Sequence, residues 1–176
     1  VNNNDAVCNR FLSSYSDNRD IWFVNNGNGI YKFDQDTLVS GRFSEPTFNA
    51  VNSMNAISKT DYIAVTDFGT IRFTPGPDHH PNATLLNPTA VKDILPGYRN
   101  NYWLSTDNGL ILYNSFSNAF RFFDYTFGQT VTEYITGASY NDNKNKMLFF
   151  GGINGFTAIG HTYYDEAMDY MPALYD

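Results

Sequence analysis

A glycine-centred pattern occurs four times along the 176 residues, and this repetition constrains the fold more than any other feature of the chain. Each copy has an apolar quartet, a short hinge of small or polar residues, a glycine and a second apolar stretch. The four copies are IWFVNNGNGIYKFD (21–34), YIAVTDFGTIRFT (62–74), YWLSTDNGLILYN (102–114) and MLFFGGINGFTAIG (147–160). Their aligned glycines are Gly29, Gly69, Gly109 and Gly155, spaced 40, 40 and 46 residues apart. A period near 40 residues is typical of repeat architectures, so one supersecondary unit is predicted to recur along the chain.

Each hinge predicts a β-hairpin. Its Asn, Asp and Gly residues, as in TDNG and NNGNG, adopt the positive φ angles of tight turns at little cost. Further extended candidates flank every hairpin. Those that precede a hairpin are 6–12, 50–58, 90–95 and 131–139, and those that follow one are 38–43, 83–86 and 119–123. Four short strands per copy are therefore predicted. Helical periodicity is absent, and the one doubtful stretch, 165–171, runs into Pro172.

The apolar quartets select the architecture. A strand with one wet face alternates apolar and polar residues, whereas IWFV and MLFF do not, so both faces of these strands must be covered. A propeller stacks small four-stranded sheets face to face and so buries its central strands on both sides. The chain is therefore predicted to be all-β, a β-propeller fragment of about four four-stranded blades. The blades are placed at about 1–45, 46–88, 89–128 and 129–160. A two-layer sandwich is the alternative architecture.

Composition excludes several classes of protein. Apolar residues make up 42% of the chain and aromatic residues 17%, which is too apolar for a disordered polypeptide. The net charge of -7 argues against nucleic-acid binding, which needs basic residues to neutralise phosphates, and against adsorption to anionic lipid. Cys8 is the only cysteine, so the chain forms no internal disulfide and no cysteine-based zinc site. No cofactor and no membrane contact by this segment are predicted.

The hairpins resemble the regulator-propeller repeats of hybrid two-component sensor proteins. Such a repeat reads as an apolar residue, Trp, an apolar residue, Gly-Thr, a short turn and Gly-Leu. YWLSTDNGLILY keeps Trp103, Thr106 and the Gly-Leu pair, with Ser105 in place of the glycine. The string FFGGINGF (149–156) is similar to the closing repeat of such a propeller. The resemblance makes 161–176 the exit segment toward the immunoglobulin-like module that follows in that family.

The resemblance implies a function for a larger parent protein. Its extracytoplasmic region, on the periplasmic face of a bacterial inner membrane, would detect glycan-derived ligands. Rearrangement of the propellers and dimerisation would pass the signal to a cytoplasmic histidine kinase. This segment itself would not be an enzyme. Two alternatives stay open: a fragment of a propeller-type carbohydrate-active enzyme, and an all-β scaffold that only binds proteins. Cutting a propeller into an arc would also leave apolar blade faces exposed, so self-association is expected.

Candidate ligand-binding residues lie in the loops. In a propeller, the connections between second and third strands and between successive blades form one rim. Amide and carboxylate side chains on this rim suit hydroxyl recognition, although turn chemistry alone also explains them. The candidates are Asn25, Asn26, Asp67, Asp107, Asn108 and Asn154. Trp22 and Trp103 fall in second strands and are predicted to be core residues. No catalytic residue and no metal site are predicted, and His79 and His80 are assigned to an exposed loop.

Overall fold

A computed structural model describes residues 11–16, 20–25, 29–34, 39–43, 50–77, 80–127, 130–131 and 133–161. Within these ranges the secondary structure is mainly β-strand, with a short 3₁₀ turn at Tyr125–Phe127. The described part of the chain contains no helix of the length and hydrophobicity needed to cross a membrane. The chain divides into two compact units, Val1–Ile94 (unit 1) and Leu95–Asp176 (unit 2). The prediction of an all-β chain is confirmed.

Two four-stranded antiparallel meanders precede the unit boundary. Sheet 1 has the order β1-β2-β3-β4 and sheet 2 the order β5-β6-β7-β8, so that neighbours in sequence are neighbours in the sheet. The strands of sheet 1 are β1 (Phe11–Ser16), β2 (Asp20–Asn25), β3 (Gly29–Asp34) and β4 (Val39–Phe43). Those of sheet 2 are β5 (Val51–Ala56), β6 (Tyr62–Thr66), β7 (Gly69–Thr74) and β8 (Asn82–Asn87).

Two further meanders follow. Sheet 3 comprises β9 (Asp93–Pro96), β10 (Asn101–Thr106), β11 (Gly109–Asn114) and β12 (Ala119–Phe123). Sheet 4 comprises β13 (Tyr134–Asp142), β14 (Met147–Gly152) and β15 (Gly155–Gly160). The prediction of four strands per blade holds for the first three sheets. Sheet 4 has three strands within the described residues, and 162–176 lie outside them. The repeat boundaries between the sheets stay a prediction.

Strand ends follow pairing rather than local hydrophobicity. The first strand, expected at 6–12, runs as β1 to Ser16, because Ser16 pairs with Ile21 of β2. Residues 6–10 of that expectation, and the doubtful stretch 165–171, lie outside the described residues. The weak candidate 83–86 is confirmed as β8, which pairs with β7 along its length.

In the described turns between second and third strands, positive φ angles fall on the glycines alone, whereas Asn118 and Lys146 have positive φ in other turns. Gly69, Gly109 and Gly155 have φ of 143°, 117° and 138°. The expectation that Asn and Asp of the hinges would also supply positive φ is wrong for Asp107 and Asn108, which are not among the positive-φ residues. In a two-residue turn that is followed by a glycine, the glycine is the only residue that needs a positive φ.

The glycine position also reveals where a fourth strand is present. A Cβ added to Gly109 would collide with the backbone carbonyl of Phe123 in β12. A Cβ added to Gly155 would find only Val131 Cγ2, 3.8 Å away. Among the described residues, β15 is therefore open on the side where β11 is covered by its neighbour.

The second strands of sheets 2 and 3 are buried on both faces, whereas the prediction made from MLFF is wrong for β14, where Met147 and Phe149 are only half-buried. All five residues of β6 and all six of β10 are buried. Trp22 is fully buried and Trp103 is 3% exposed, which confirms both as core residues. One apolar cluster in unit 1 joins Trp22 to residues of sheet 2, and one in unit 2 joins Trp103 to residues of sheet 4. Consecutive sheets within each unit therefore pack face to face.

Candidate functional site: the hairpin rim

The predicted site residues lie at the turns between second and third strands. Asp67 occupies the turn of sheet 2, Asp107 and Asn108 share the turn of sheet 3, and Asn154 lies in the turn of sheet 4; all four are exposed. Asn25 is the last residue of β2 and pairs with Gly29, whereas Asn26 lies outside the described residues. Asp107, Asn108 and Asn154 belong to unit 2 and Asp67 to unit 1.

A buried threonine shapes two of these turns in the same way. The hydroxyl of Thr66 donates to the carbonyl of Gly69 at 2.9 Å and accepts from the Phe68 N–H at 3.0 Å. In the next repeat, the Thr106 hydroxyl makes the same two bonds with Gly109 and Asn108, at 2.9 and 3.0 Å. The side chain thus satisfies backbone groups that the tight turn would otherwise leave without partners. The intervening residues are held pointing outward.

The turn of sheet 2 is joined to the connection that leaves its sheet. The Asn52 amide donates to Asp67 Oδ1 at 2.9 Å and to the Val91 carbonyl at 2.8 Å. The Val91 N–H in turn donates to the Thr66 carbonyl at 2.9 Å. Asn52 is 7% exposed, so its amide is a buried bridge between two loops. Hairpin turn and inter-sheet connection therefore meet at one end of this sheet, as the rim hypothesis requires within unit 1.

Sheet 4 repeats this arrangement with backbone groups. The Ile153 N–H of its hairpin turn donates to the Glu133 carbonyl, 3.1 Å away, in the connection that enters the sheet. Val131 of the same connection is buried beside Gly152. In each unit separately, we use the name hairpin rim for these turns together with the connections bonded to them: 66–69 and 88–92 in unit 1, and 106–109, 131, 133 and 152–155 in unit 2.

The hairpin rim combines polar and apolar groups that face solvent. Phe68 is 66% exposed and follows Asp67 directly; Ile153 is 61% exposed and precedes Asn154. Binding sites for small molecules commonly pair an apolar or aromatic surface with a few placed polar groups. Sequence reasoning missed Phe68 and Asn52. A bulky aromatic residue at a turn position in TDFG was the available signal for Phe68, whereas nothing local marks Asn52.

Other candidate groups have structural explanations. The Asp142 carboxylate accepts from the Lys144 and Asn145 N–H groups at 3.1 and 3.0 Å, and from the Asn145 amide at 2.7 Å. These bonds, those of Asn145 first, lower the pKa of Asp142. The Asx-rich segment is thus a hydrogen-bonded turn. Within the described residues no group of three His, Cys, Asp or Glu side chains could hold a metal ion. His80 is exposed and His79 lies outside the described residues.

Comparison with solved structures finds the same fold in larger proteins. The extracellular domain assigned to the hybrid two-component system BT3049 of B. thetaiotaomicron matches with a TM-score of 0.71 and 21% identity, covering 91% of this chain and 22% of its own. That of BT4673 from the same organism matches with 0.63 and 18%, covering 86% and 20%. Virginiamycin B lyase of Staphylococcus aureus matches with 0.61 and 12%, covering 89% and 57%.

These matches define the fold. The chain has the fold of a β-propeller fragment, as predicted, and spans about a fifth of the length of the two sensor domains. The lyase, which is an enzyme, also has this fold, and its match covers 89% of this chain. No family model matches the sequence, and no curated protein matches it.

Proposed function

We propose that this chain is part of the extracytoplasmic, ligand-sensing region of a hybrid two-component sensor kinase. The observation that carries the proposal is the likeness in fold to the extracellular domain of BT3049 over 91% of the chain. The string FFGGINGF, which resembles the closing repeat of such sensors, forms the β14–β15 hairpin. On this proposal the segment lies on the periplasmic face of a bacterial inner-membrane protein and has no catalytic role of its own.

The ligand class that we propose is a glycan-derived oligosaccharide, bound at the hairpin rim of one unit. Asp67, Asp107, Asn108 and Asn154 offer carboxylate and amide groups to hydroxyls, and Asn25 and Asn26 are the candidates of the first repeat. Phe68 adds an exposed aromatic face next to a carboxylate. A sugar ring presents hydroxyls at its edge and C–H groups on its faces, so this pairing suits it.

Signalling requires two arrangements of the sensor with different ligand affinity. The proposed mechanism is a shift in the orientation of propellers and immunoglobulin-like modules, passed to the kinase through a dimer. Stiff, hydrogen-bonded rim turns support this mechanism, because a rigid site transmits a ligand's contacts to the sheet that carries it. The Thr66 and Thr106 bonds supply such stiffness.

A binding experiment tests the proposal. The chain, and the whole protein that contains it, are titrated with a panel of oligosaccharides by calorimetry. We expect saturable binding that Asp107→Ala/Asn108→Ala and Asp67→Ala/Phe68→Ala weaken. Asn143→Ala is the matched control, since Asn143 is exposed in the β13–β14 turn, at the opposite end of its sheet.

The same panel distinguishes the alternatives. Turnover of an oligosaccharide, abolished by one Asp or Glu substitution, would favour the carbohydrate-active enzyme. Absence of any oligosaccharide-dependent response in the whole protein would contradict the proposed sensor function.

A further inference from the structure

Two hairpin turns of unit 2 contain the same dipeptide, an asparagine followed by a glycine. Asn108-Gly109 joins β10 to β11, and Asn154-Gly155 joins β14 to β15. Both asparagines are exposed, so access of water does not distinguish them. The other two Asn-Gly dipeptides of the sequence, 26–27 and 28–29, lie at least partly outside the described residues. The two turns of unit 2 therefore allow a direct comparison of one dipeptide in two settings.

The reaction open to such a dipeptide is deamidation through a cyclic imide. Asparagine is among the thermolabile residues of proteins, and a following glycine has no side chain to hinder the approach of its backbone nitrogen. That nitrogen attacks the asparagine Cγ, so an N–Cγ bond forms and the Cγ–Nδ2 bond breaks. The proton of the attacking nitrogen leaves with Nδ2 as ammonia. Water from the solvent then opens the ring at either carbonyl, which gives aspartate or isoaspartate.

A buried threonine restrains the dipeptide of sheet 3. The Thr106 hydroxyl accepts from the Asn108 N–H at 3.0 Å and donates to the Gly109 carbonyl at 2.9 Å, so one side chain ties both residues that must move. The Gly109 backbone is also crowded, because the Phe123 carbonyl lies where a Cβ would stand. Ring closure requires Asn108 and Gly109 to rotate toward each other, and breaking these bonds to do so is costly.

The turn of sheet 4 has no equivalent of this threonine. Ladder pairing sets Gly152 opposite Gly155, just as it sets Thr106 opposite Gly109. A glycine has no hydroxyl, so the side chain at this position forms neither of the two bonds. The Asn-Gly dipeptide of sheet 4 is thus without the restraint that holds the dipeptide of sheet 3.

The surroundings of Gly152 explain why a threonine is absent there. A Cβ added to Gly152 would lie 2.5 Å from the Glu133 carbonyl oxygen and 2.5 Å from Val131 Cγ1. This turn is held in another way, because the Ile153 N–H donates to the Glu133 carbonyl at 3.1 Å. That hydrogen bond fixes the residue before Asn154 and leaves the peptide link between Asn154 and its glycine unrestrained by it.

We propose that Asn154 is a site of spontaneous deamidation in the folded chain, whereas Thr106 protects Asn108. The reaction replaces a neutral amide with a carboxylate and so adds negative charge to the hairpin rim of unit 2, which already has Asp107. The isoaspartate product also lengthens the main chain next to Gly155, whose pairing closes the hairpin. This modification depends on turn chemistry alone and is independent of the proposed ligand.

Peptide mapping by mass spectrometry tests the proposal without any ligand. The chain is incubated at mildly alkaline pH, once folded and once in guanidinium chloride, and the deamidated fractions at Asn108 and Asn154 are followed with time. The rates in the unfolded chain correct for the different neighbours of the two dipeptides. We expect folding to slow the reaction at Asn108 at least about fivefold more than at Asn154, the effect of about one net hydrogen bond. Equal protection of the two asparagines, or stronger protection of Asn154, would overturn the proposal.

Substitution of Thr106 tests the cause of the protection. Thr106→Val keeps the shape of the side chain but removes the hydroxyl, so deamidation of Asn108 in the folded variant should become at least about fivefold faster. Thr106→Ser is the matched control, because it keeps the hydroxyl and should keep Asn108 protected. Far-UV circular dichroism checks that each variant is folded; if Thr106→Val is not, the wild-type comparison decides. Unchanged protection of Asn108 in folded Thr106→Val would refute the role assigned to Thr106.

Discussion

The two hairpin glycines of unit 2 should differ in their tolerance of alanine. Both have positive φ, 117° at Gly109 and 138° at Gly155, so both substitutions force an L-residue into a region that it rarely adopts. Such strain costs about 1–3 kcal/mol. Only at Gly109 would the new methyl group also meet the Phe123 carbonyl and lie 3.1 Å from the Asp124 Cα. Overpacking of this kind adds about 1–3 kcal/mol.

The expected cost is therefore about 1–3 kcal/mol for Gly155→Ala and about 2–6 kcal/mol for Gly109→Ala, a difference of about 1–3 kcal/mol. Urea unfolding followed by circular dichroism measures both, with comparison of m values to confirm that the unfolding transition is unchanged. Gly160→Ala is the control in the same sheet, because Gly160 has open space around it and no positive φ. Its effect should stay within about 0.5 kcal/mol.

Equal losses at the two positions would refute this reasoning. They would mean that β15 is crowded by a neighbouring strand as β11 is by β12, and that its edge is not open. A larger loss at Gly155 would have the same meaning.

Three further predictions concern hydrogen bonds and charge. Thr106→Val should lower the free energy of unfolding by about 1–3 kcal/mol in urea titrations, because two turn groups lose their partner, whereas Thr106→Ser should retain most of it. Asn52→Asp should destabilise the fold more than Asn52→Ala, because a carboxylate cannot donate to Asp67 or to the Val91 carbonyl and would repel both. Thermal unfolding at neutral pH measures this order, and the reverse order would mean that the amide bridge is unimportant. Burial first, and then Lys146, lowers the pKa of His161 against the opposing effect of Asp142. Because the unfolded chain then binds the proton more tightly, stability should fall as pH drops below about 6.5, and His161→Gln should reduce that part of the pH dependence measured between neutral and mildly acidic pH.

The architecture could be predicted from the sequence because the residues that determine it are close together in the chain. Positive φ at the glycine after the hinge is a property of one residue, and it correctly marked the hairpins at Gly69, Gly109 and Gly155. The apolar quartets correctly indicated covered strands in sheets 2 and 3 and correctly placed Trp22 and Trp103 in the core, but MLFF lies in a strand that is only partly covered. Both signals lie within a dozen residues of each other and need no knowledge of the remaining chain.

The register of the aromatic residues needed the structure. Counting from the first residue of each quartet would match Trp103 with Leu148, but the pairing of Trp103 with Leu112 and of Phe149 with Ala158 makes Phe149 the equivalent residue. A shift of one residue in a strand moves a side chain to the other face. The face of sheet 4 that carries Tyr140, Phe149 and Phe156 could therefore not be located without the hydrogen-bonded ladder.

For the hairpin rim, too, some features follow from the sequence and others only from the tertiary structure. The sequence alone determined a repeating chain of hairpins whose turns carry Asp67, Asp107, Asn108 and Asn154, because turn chemistry and strand burial are encoded by adjacent residues. Only the tertiary structure decided that Asn52 ties Asp67 to Val91, residues 15 and 39 positions away, and that no described strand covers β15 as β12 covers β11. Such contacts depend on which distant segments meet, and hydrophobic period and local turn propensity carry no information about that choice.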